Sequence, residues 1–181
     1  MHLNEDDILI RELRQPQSQR KAFEQVVNRY SPQLYRQIRR MVYGHDDAND
    51  ILQNTFIKAW TNLDQFRGES RIATWLYRIA MNETLNFLQK SKETRSLDEV
   101  SSSVALRLAA DEYFDGDETA LQLQEAIAQL PEKQRVVFNL KYFEEMKYEE
   151  MSRMLDTSVG ALKASYHHAV KKICEFFNLQ D

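Results

Sequence analysis

The residues best placed to meet an anion lie near the end of the chain. Between Val159 and Cys174 stand Lys163, Lys171 and Lys172, with no acidic residue among them. Just upstream, Asp98, Glu99, Asp111, Glu112, Asp115, Asp117 and Glu118 are opposed only by Arg107. The net charge of −4 therefore hides an acidic middle and a basic C-terminal helix, and the distribution matters more than the total. Lys163, Ser165, Tyr166, His167, Lys171 and Lys172 offer hydrogen-bond donors to phosphates and base edges, which is the chemistry of groove recognition. Bond-making chemistry finds no comparable support, since the chain has no glycine-rich phosphate loop, no metal-ligand spacing and no nucleophile–base pair. His167 and His168 are adjacent, so on a helix they point about 100° apart. With only His2 and His45 elsewhere, no ligand set forms, and neither a metal nor a cofactor is expected. Cys174, the single cysteine, permits no internal disulfide; it reads as a small apolar helix residue suited to a reducing, cytoplasmic setting.

Positioning those cations requires a short helix, a turn and a second helix. Tyr148, Met151 and Leu155 share one helical face, Asp156-Thr157-Ser158 forms a turn, and Ser158 can cap the second helix. That helix, from Val159 to Phe177, buries Leu162, Ala169, Val170 and Ile173. The geometry suits a helix-turn-helix over about 148–168, although a plain helical hairpin with a solvated basic face would use the same elements. Upstream, Leu123, Ala126, Ile127 and Leu130 form one apolar face, and Pro131 opens a helix carrying Val136, Val137, Leu140 and Phe143.

The first half is helical by the same criterion. Phe23, Val26, Val27 and Tyr30 fall at helix spacing over 21–43, and Pro32 restarts the pattern through Leu34, Tyr35, Ile38, Met41 and Val42. Gly44 marks a stop and Asp46 a cap. The next helix carries an apolar stripe of Ala48, Ile51, Leu52, Thr55, Phe56, Ala59, Trp60 and Leu63, with Asp47, Asp50, Gln53, Asn54 and Lys58 opposite. Arg67-Gly68-Glu69-Ser70 is a turn with Ser70 as a cap, and a last helix runs through Trp75, Leu76, Ile79, Ala80 and Leu88. Periodicity fades from about Ser91 to Asp117, save for a short helical patch at Val104–Leu108. The expected fold is all-α: two small helical domains joined by an acidic linker, the C-terminal one containing the helix-turn-helix. The boundaries are a tail or first helix start over 1–19, a first domain over 20–95, the linker over 96–117 and a second domain over 118–181. Four glycines and three prolines in 181 residues favour helix over sheet. No apolar run approaches the roughly 20 residues of a membrane span, and the acidic N-terminus lacks the order of a signal peptide.

Two sets of motifs succeed one another along this framework. The first is Asp47-Ala48-Asn49-Asp50-Ile51-Leu52-Gln53-Asn54-Thr55-Phe56-Ile57-Lys58-Ala59-Trp60, then Phe66-Arg67-Gly68-Glu69-Ser70 and Thr74-Trp75-Leu76-Tyr77-Arg78-Ile79-Ala80-Met81-Asn82. The second is Leu130-Pro131-Glu132-Lys133-Gln134-Arg135, Tyr148-Glu149-Glu150-Met151 and Ser158-Val159-Gly160-Ala161-Leu162-Lys163. Over roughly 20–95 and 118–177 the chain resembles the extracytoplasmic-function group of bacterial RNA polymerase sigma factors.

That resemblance implies partners and sites. Asp47, Asp50, Leu52, Gln53, Asn54 and Phe56 would meet a coiled coil on the largest subunit of core RNA polymerase, with Phe56 or Leu52 as the apolar contact and Trp60 in the core. Phe66, Arg67, Arg71, Trp75, Arg78, Asn82 and Asn86 would open promoter DNA at the −10 element, aided by Lys90 and Lys92. Trp75 and Tyr77 resemble stacking groups, with core packing the stronger role for Trp75. Ser158, Gly160, Lys163, Ala164, Tyr166, His167 and Lys171 would read the −35 element. An anti-sigma factor is implied as a further partner, and membrane insertion is not. The acidic linker would pass near the polymerase cleft, as a nucleic-acid mimic or as a plain solvated tether. The chain departs from the family at Asn54, where Glu is usual, and in the sparse cations of Gln89-Lys90-Ser91-Lys92. Ala164-Ser165 replaces a Ser-Arg pair, His168 replaces an arginine, and Lys147 stands where a Ser or Thr cap is frequent. A stand-alone regulator with a sensing domain is the competing class, and it would have no need of the Gln53/Asn54 helix or the Trp75–Asn82 segment.

Overall fold

The computed structural model of the chain describes residues 5–42, 44–66, 68, 71–92 and 118–178, and among these it forms eight α-helices and one 3-10 turn. The linker at 96–117, its patch at Val104–Leu108, and Arg67, Glu69 and Ser70 lie outside the described residues. The chain divides into two units, Met1–Thr94 and Arg95–Asp181.

The first unit contains α1 (Glu5–Leu13), α2 (Gln19–Arg39), α3 (His45–Thr61), a 3-10 turn (Leu63–Gln65) and α4 (Ile72–Lys92). Helix α3 packs against both α2 and α4, and α1 lies along α2. The packing surface of α3 and α4 is built from small groups. Ala48, Thr55, Ala59, Ala80 and Thr84 are all fully buried, with Ile72 and Leu76 beside them. Both threonine hydroxyls donate back to their own helices, Thr55 to the Ile51 carbonyl at 2.8 Å and Thr84 to the Ala80 carbonyl at 2.7 Å. Each buried hydroxyl is thereby satisfied without a partner on the neighbouring helix.

One expected helix start is located, and two local features differ from the sequence expectation. Of the tail or helix start expected before residue 20, the described residues form α1, which buries Leu9 and Leu13 one turn apart. Helix α2 does not break at Pro32 but runs through it. Pro32 is exposed and forfeits one backbone bond to the Asn28 carbonyl. The Ser31 hydroxyl donates to the Val27 carbonyl at 2.6 Å, and Tyr30, Leu34, Tyr35 and Ile38 bury a continuous face. Helix α3 starts two residues early, with Gly44 rather than Asp46 as its cap and the Ala48 amide donating to the Gly44 carbonyl at 3.0 Å.

A polar relay joins the end of α2 to the start of α3. The Tyr35 hydroxyl lies 2.6 Å from His45 Nδ1, and His45 Nε2 lies 2.9 Å from Asn49 Nδ2. Nearer the middle of α2, the Tyr30 hydroxyl donates to Asp6 of α1 at 3.1 Å. Burial first, then the Asp6 charge, raises the Tyr30 pKa above its ordinary value. The neutral phenol is therefore the folded form, and this contribution fades only as alkaline pH ionises it.

The second unit contains α5 (Glu118–Ala128), α6 (Glu132–Tyr142), α7 (Tyr148–Leu155) and α8 (Val159–Asn178). Helix α8 touches α5, α6 and α7. Ala126, Ile127, Leu130, Phe138, Ala169 and Ile173 form the core, with Leu123, Phe143 and Val170 at its margin. Pro131 caps α6, and Asp156 closes α7 in the left-handed conformation at φ 47°.

Tyr35→Phe removes the hydroxyl contact to His45. It is expected to lower stability by about 1 kcal/mol, read as a shifted urea midpoint at unchanged slope.

Candidate functional site

With one side of each helix buried, the exposed arcs are what remain for a partner. The buried stripe of α3 runs through Ala48, Ile51, Thr55, Phe56 and Ala59. At about 100° per residue, Trp60 falls some 110° from the middle of that stripe. It is 42% exposed, its ring meeting Phe23 edge-on at 5.0 Å, whereas Phe56 is buried with its ring 6.4 Å from the same Phe23. The two expectations thus exchange places: Phe56 belongs to the core and Trp60 to the surface. Asp50, Gln53 and Asn54 are exposed, Leu52 is half-buried, and Asp47 is half-buried where its carboxylate folds back over Gly44. Ile57, 60% exposed, shares this arc and was missed in the sequence. The signal was present, because Ile57 lies four residues from Gln53 and three from Trp60.

The candidates on α4 converge. Arg71, Arg78, Asn82 and Asn86 are all exposed, and with Trp75 they occupy about 80° of the helix. Trp75 is half-buried, its ring 4.7 Å from that of the buried Phe66. Phe66 is therefore the floor beneath Trp75 rather than a contact in its own right. Tyr77 projects from the opposite side of α4, too far round to stack on anything that meets Asn82. Lys90 is exposed one turn beyond Asn86. Arg67 and the Lys92 side chain lie outside the described residues. Lys58 of α3 and Glu83 of α4 pair at 2.5 Å, tying the two helices together at the surface.

On α8, Gly160, Lys163, Ala164, His167 and Lys171 are exposed and span about 100°. Tyr166 does not join them. It turns toward the core, its ring stacked on Phe138 at 5.8 Å, because its position adjoins the buried row of Leu162, Ala169 and Ile173. Ser158 caps α8, accepting from the Ala161 amide at 3.2 Å, whereas Lys147 gives α7 no side-chain cap. Lys141 and Lys163 both approach the Tyr148 ring, their Nζ atoms 5.0 and 5.7 Å from its centroid. Burial, and secondarily Tyr166, raises the Tyr148 pKa, so its hydroxyl remains a donor. Lys171 pairs with Glu175 at 3.9 Å. Among the described residues, no group of three or more His, Cys, Asp or Glu is gathered for a metal ion, and no helix is long and apolar enough to cross a membrane.

Comparison with known proteins places both units. Residues 26–94 match the family model for sigma-70 region 2, and residues 120–173 match that for sigma-70 region 4. The chain is 34% identical to the ECF RNA polymerase sigma factor SigW of Bacillus subtilis over 81% of its own length and 83% of that protein. It is 30% identical to the RNA polymerase sigma-H factor of Pseudomonas aeruginosa over 85% of each chain. Among solved structures it resembles the sigma factor RpoE in complex with the anti-sigma factor NepR from Bartonella quintana. The TM-score is 0.67 at 22% identity, over 89% of this chain and 99% of that one. It also resembles CnrH in complex with the cytosolic domain of CnrY, with a TM-score of 0.65 at 24% identity over 98% and 100% of the two chains.

A β-carbon built on Gly160 meets nothing within 4 Å. Gly160→Ala should therefore stabilise α8 by about 0.5 kcal/mol, while Ser158→Ala should cost about 1 kcal/mol by removing the cap. Opposite shifts in the thermal midpoint, monitored by circular dichroism, are the expected result.

Proposed function

The chain belongs to the extracytoplasmic-function group of bacterial RNA polymerase sigma factors, and we propose that its three exposed helix arcs divide the work of such a factor. With core polymerase it directs promoter recognition and DNA opening at transcription initiation. Factors of this kind are regulatory DNA-recognition proteins rather than catalysts. The α3 arc of Asp50, Gln53, Asn54, Ile57 and Trp60 docks on core polymerase. Its acid and amides meet cations and backbone groups of the partner, and the two exposed apolar side chains supply the desolvated contact such an interface needs. Asp47 and Leu52 flank that contact, and Phe56 supports it from the core.

The α4 arc handles the −10 element. Opening DNA requires a base held out of the stack, which calls for amides at its edge, an aromatic surface and cations on the phosphates. Asn82 and Asn86 supply the amides, Trp75 the surface over Phe66, and Arg71 and Arg78 the charge. The α8 arc enters the major groove at the −35 element through Lys163, Ala164, His167 and Lys171, with Ser158 and Gly160 at its leading end. Tyr166 acts from behind, through Phe138. The observation that carries this division is the segregation of the α3 and α4 candidates onto separate exposed arcs of one unit. An anti-sigma factor, such as the one that RpoE holds in its complex, would silence the chain by covering these arcs. The protein works in the cytoplasm, where polymerase is found.

Purified chain added to core polymerase should confer transcription from a specific promoter; failure to bind core sinks the reading. Trp60→Ala should weaken core binding about tenfold, with Gln53→Ala acting in the same direction, both read by fluorescence titration against core. Asn82→Ala should leave core binding intact while reducing permanganate reactivity at the −10 element. Equal loss at both steps would mean misfolding instead.

A further inference from the structure

Helix α1 precedes the span matched to region 2, which begins at residue 26, and none of the three arcs uses it. It is nonetheless firmly anchored. Leu9 and Leu13 are buried against α2, and Asp6 accepts from Tyr30 at 3.1 Å and from Arg29 at 3.4 Å. Its C-terminal carbonyls are taken up by side chains: the Ser18 hydroxyl donates to the Glu12 carbonyl at 2.8 Å, and Gln19 Nε2 donates to the Leu13 carbonyl at 3.0 Å. Helix ends leave such carbonyls unbonded unless something caps them, so this end of α1 is fixed in place.

From that fixed end, two side chains one turn apart reach Gly68. A β-carbon placed on Gly68 would lie 2.8 Å from Arg14 Nη2 and 3.3 Å from Ile10 Cγ2. Both groups therefore already rest against its α-carbon. Gly68 also has φ 69°, a conformation that side chains resist. Three residues later comes Arg71, the first member of the α4 arc, whose carbonyl accepts the Trp75 amide at 3.1 Å. Gly68 is thus held by Ile10 of α1 and by Arg14 just beyond it, and the first turns of α4 are held by the core through Ile72 and Leu76.

We propose that Ile10 and Arg14 are positioning residues for promoter opening, setting through Gly68 where α4 presents its −10 face. The inference rests on the sigma-factor reading above. Neither residue need touch DNA; each acts by fixing the backbone from which Arg71 and Trp75 project. Displacement of such a face by about 1 Å is enough to cost a large factor in rate.

The test uses the full chain assembled with core polymerase on a promoter selected with the wild-type holoenzyme. Ile10→Ala and Arg14→Ala should each slow opening about tenfold, read from 2-aminopurine fluorescence within the −10 element, while core affinity and thermal midpoint change little. The double variant should be scarcely worse than either single one, because the two act through one contact. Arg14→Lys should not restore opening. Full recovery with lysine would mean that a charge on a phosphate, not positioning, is what matters, and would overturn the proposal. Unchanged opening in both alanine variants, or parallel loss of core affinity, would overturn it as well. A wild-type chain that opens no promoter would instead overturn the sigma-factor reading, and this inference with it.

Discussion

The close approach of α3 to its neighbours is the constraint on which the first unit depends. On α3 Ala48, Thr55 and Ala59, and on α4 Ala80 and Thr84, are small and fully buried, and both threonine hydroxyls are satisfied within their own helices. A larger residue at any of these points would push the helices apart or force strained rotamers, at a typical cost of about 1–3 kcal/mol. The same contact fixes the angle between the outer arc of α3 and the outer arc of α4. The two arcs therefore share a structural foundation, although they share no residue. The Lys58–Glu83 pair across the top of these helices is partly exposed, so it adds little stability. Its value lies in register.

The second unit solves a different problem. It must hold a reading helix rigid with few cations, since α8 carries only Lys163, Lys171 and Lys172 beside Glu175. Each phosphate neutralised contributes a salt-dependent increment, and three lysines supply few of them. Rigidity comes instead from the aromatic packing of Phe138 with Tyr142 and Tyr166 beneath the helix, and from Tyr148, which gathers Lys141 and Lys163 at its ring. A reader that binds weakly alone suits a subunit whose grip on DNA is completed by polymerase.

Much of this architecture was legible in the residues. The helical period, the Ser158 cap, the three-residue turn before α8 and the spacing of Asn82 to Asn86 all rest on local rules, and each reads directly. What escaped the sequence was decided by tertiary packing. Trp60 and Phe56 sit four residues apart near the edge of one stripe, and only the placement of Phe23 determines which is covered. Tyr166 looked like part of a polar face until Phe138 supplied a ring to stack on. Pro32 reads as a break because the rule against proline is local, whereas the apolar face on both sides of it is continuous. For α1, two leucines gave too little pattern to separate a helix start from a polar tail.

Pro32 has a consequence for how the first unit breathes. It interrupts the backbone ladder of α2 at the Asn28 carbonyl, so protection against hydrogen exchange need not be uniform along that helix. The turns after Pro32 hold Tyr35, whose relay through His45 reaches the start of α3. A local opening there would release the first turn of α3 while Thr55 and Ala59 stay buried. Helix α3 thus has a soft leading end and a hard middle, and its amides should exchange in that order.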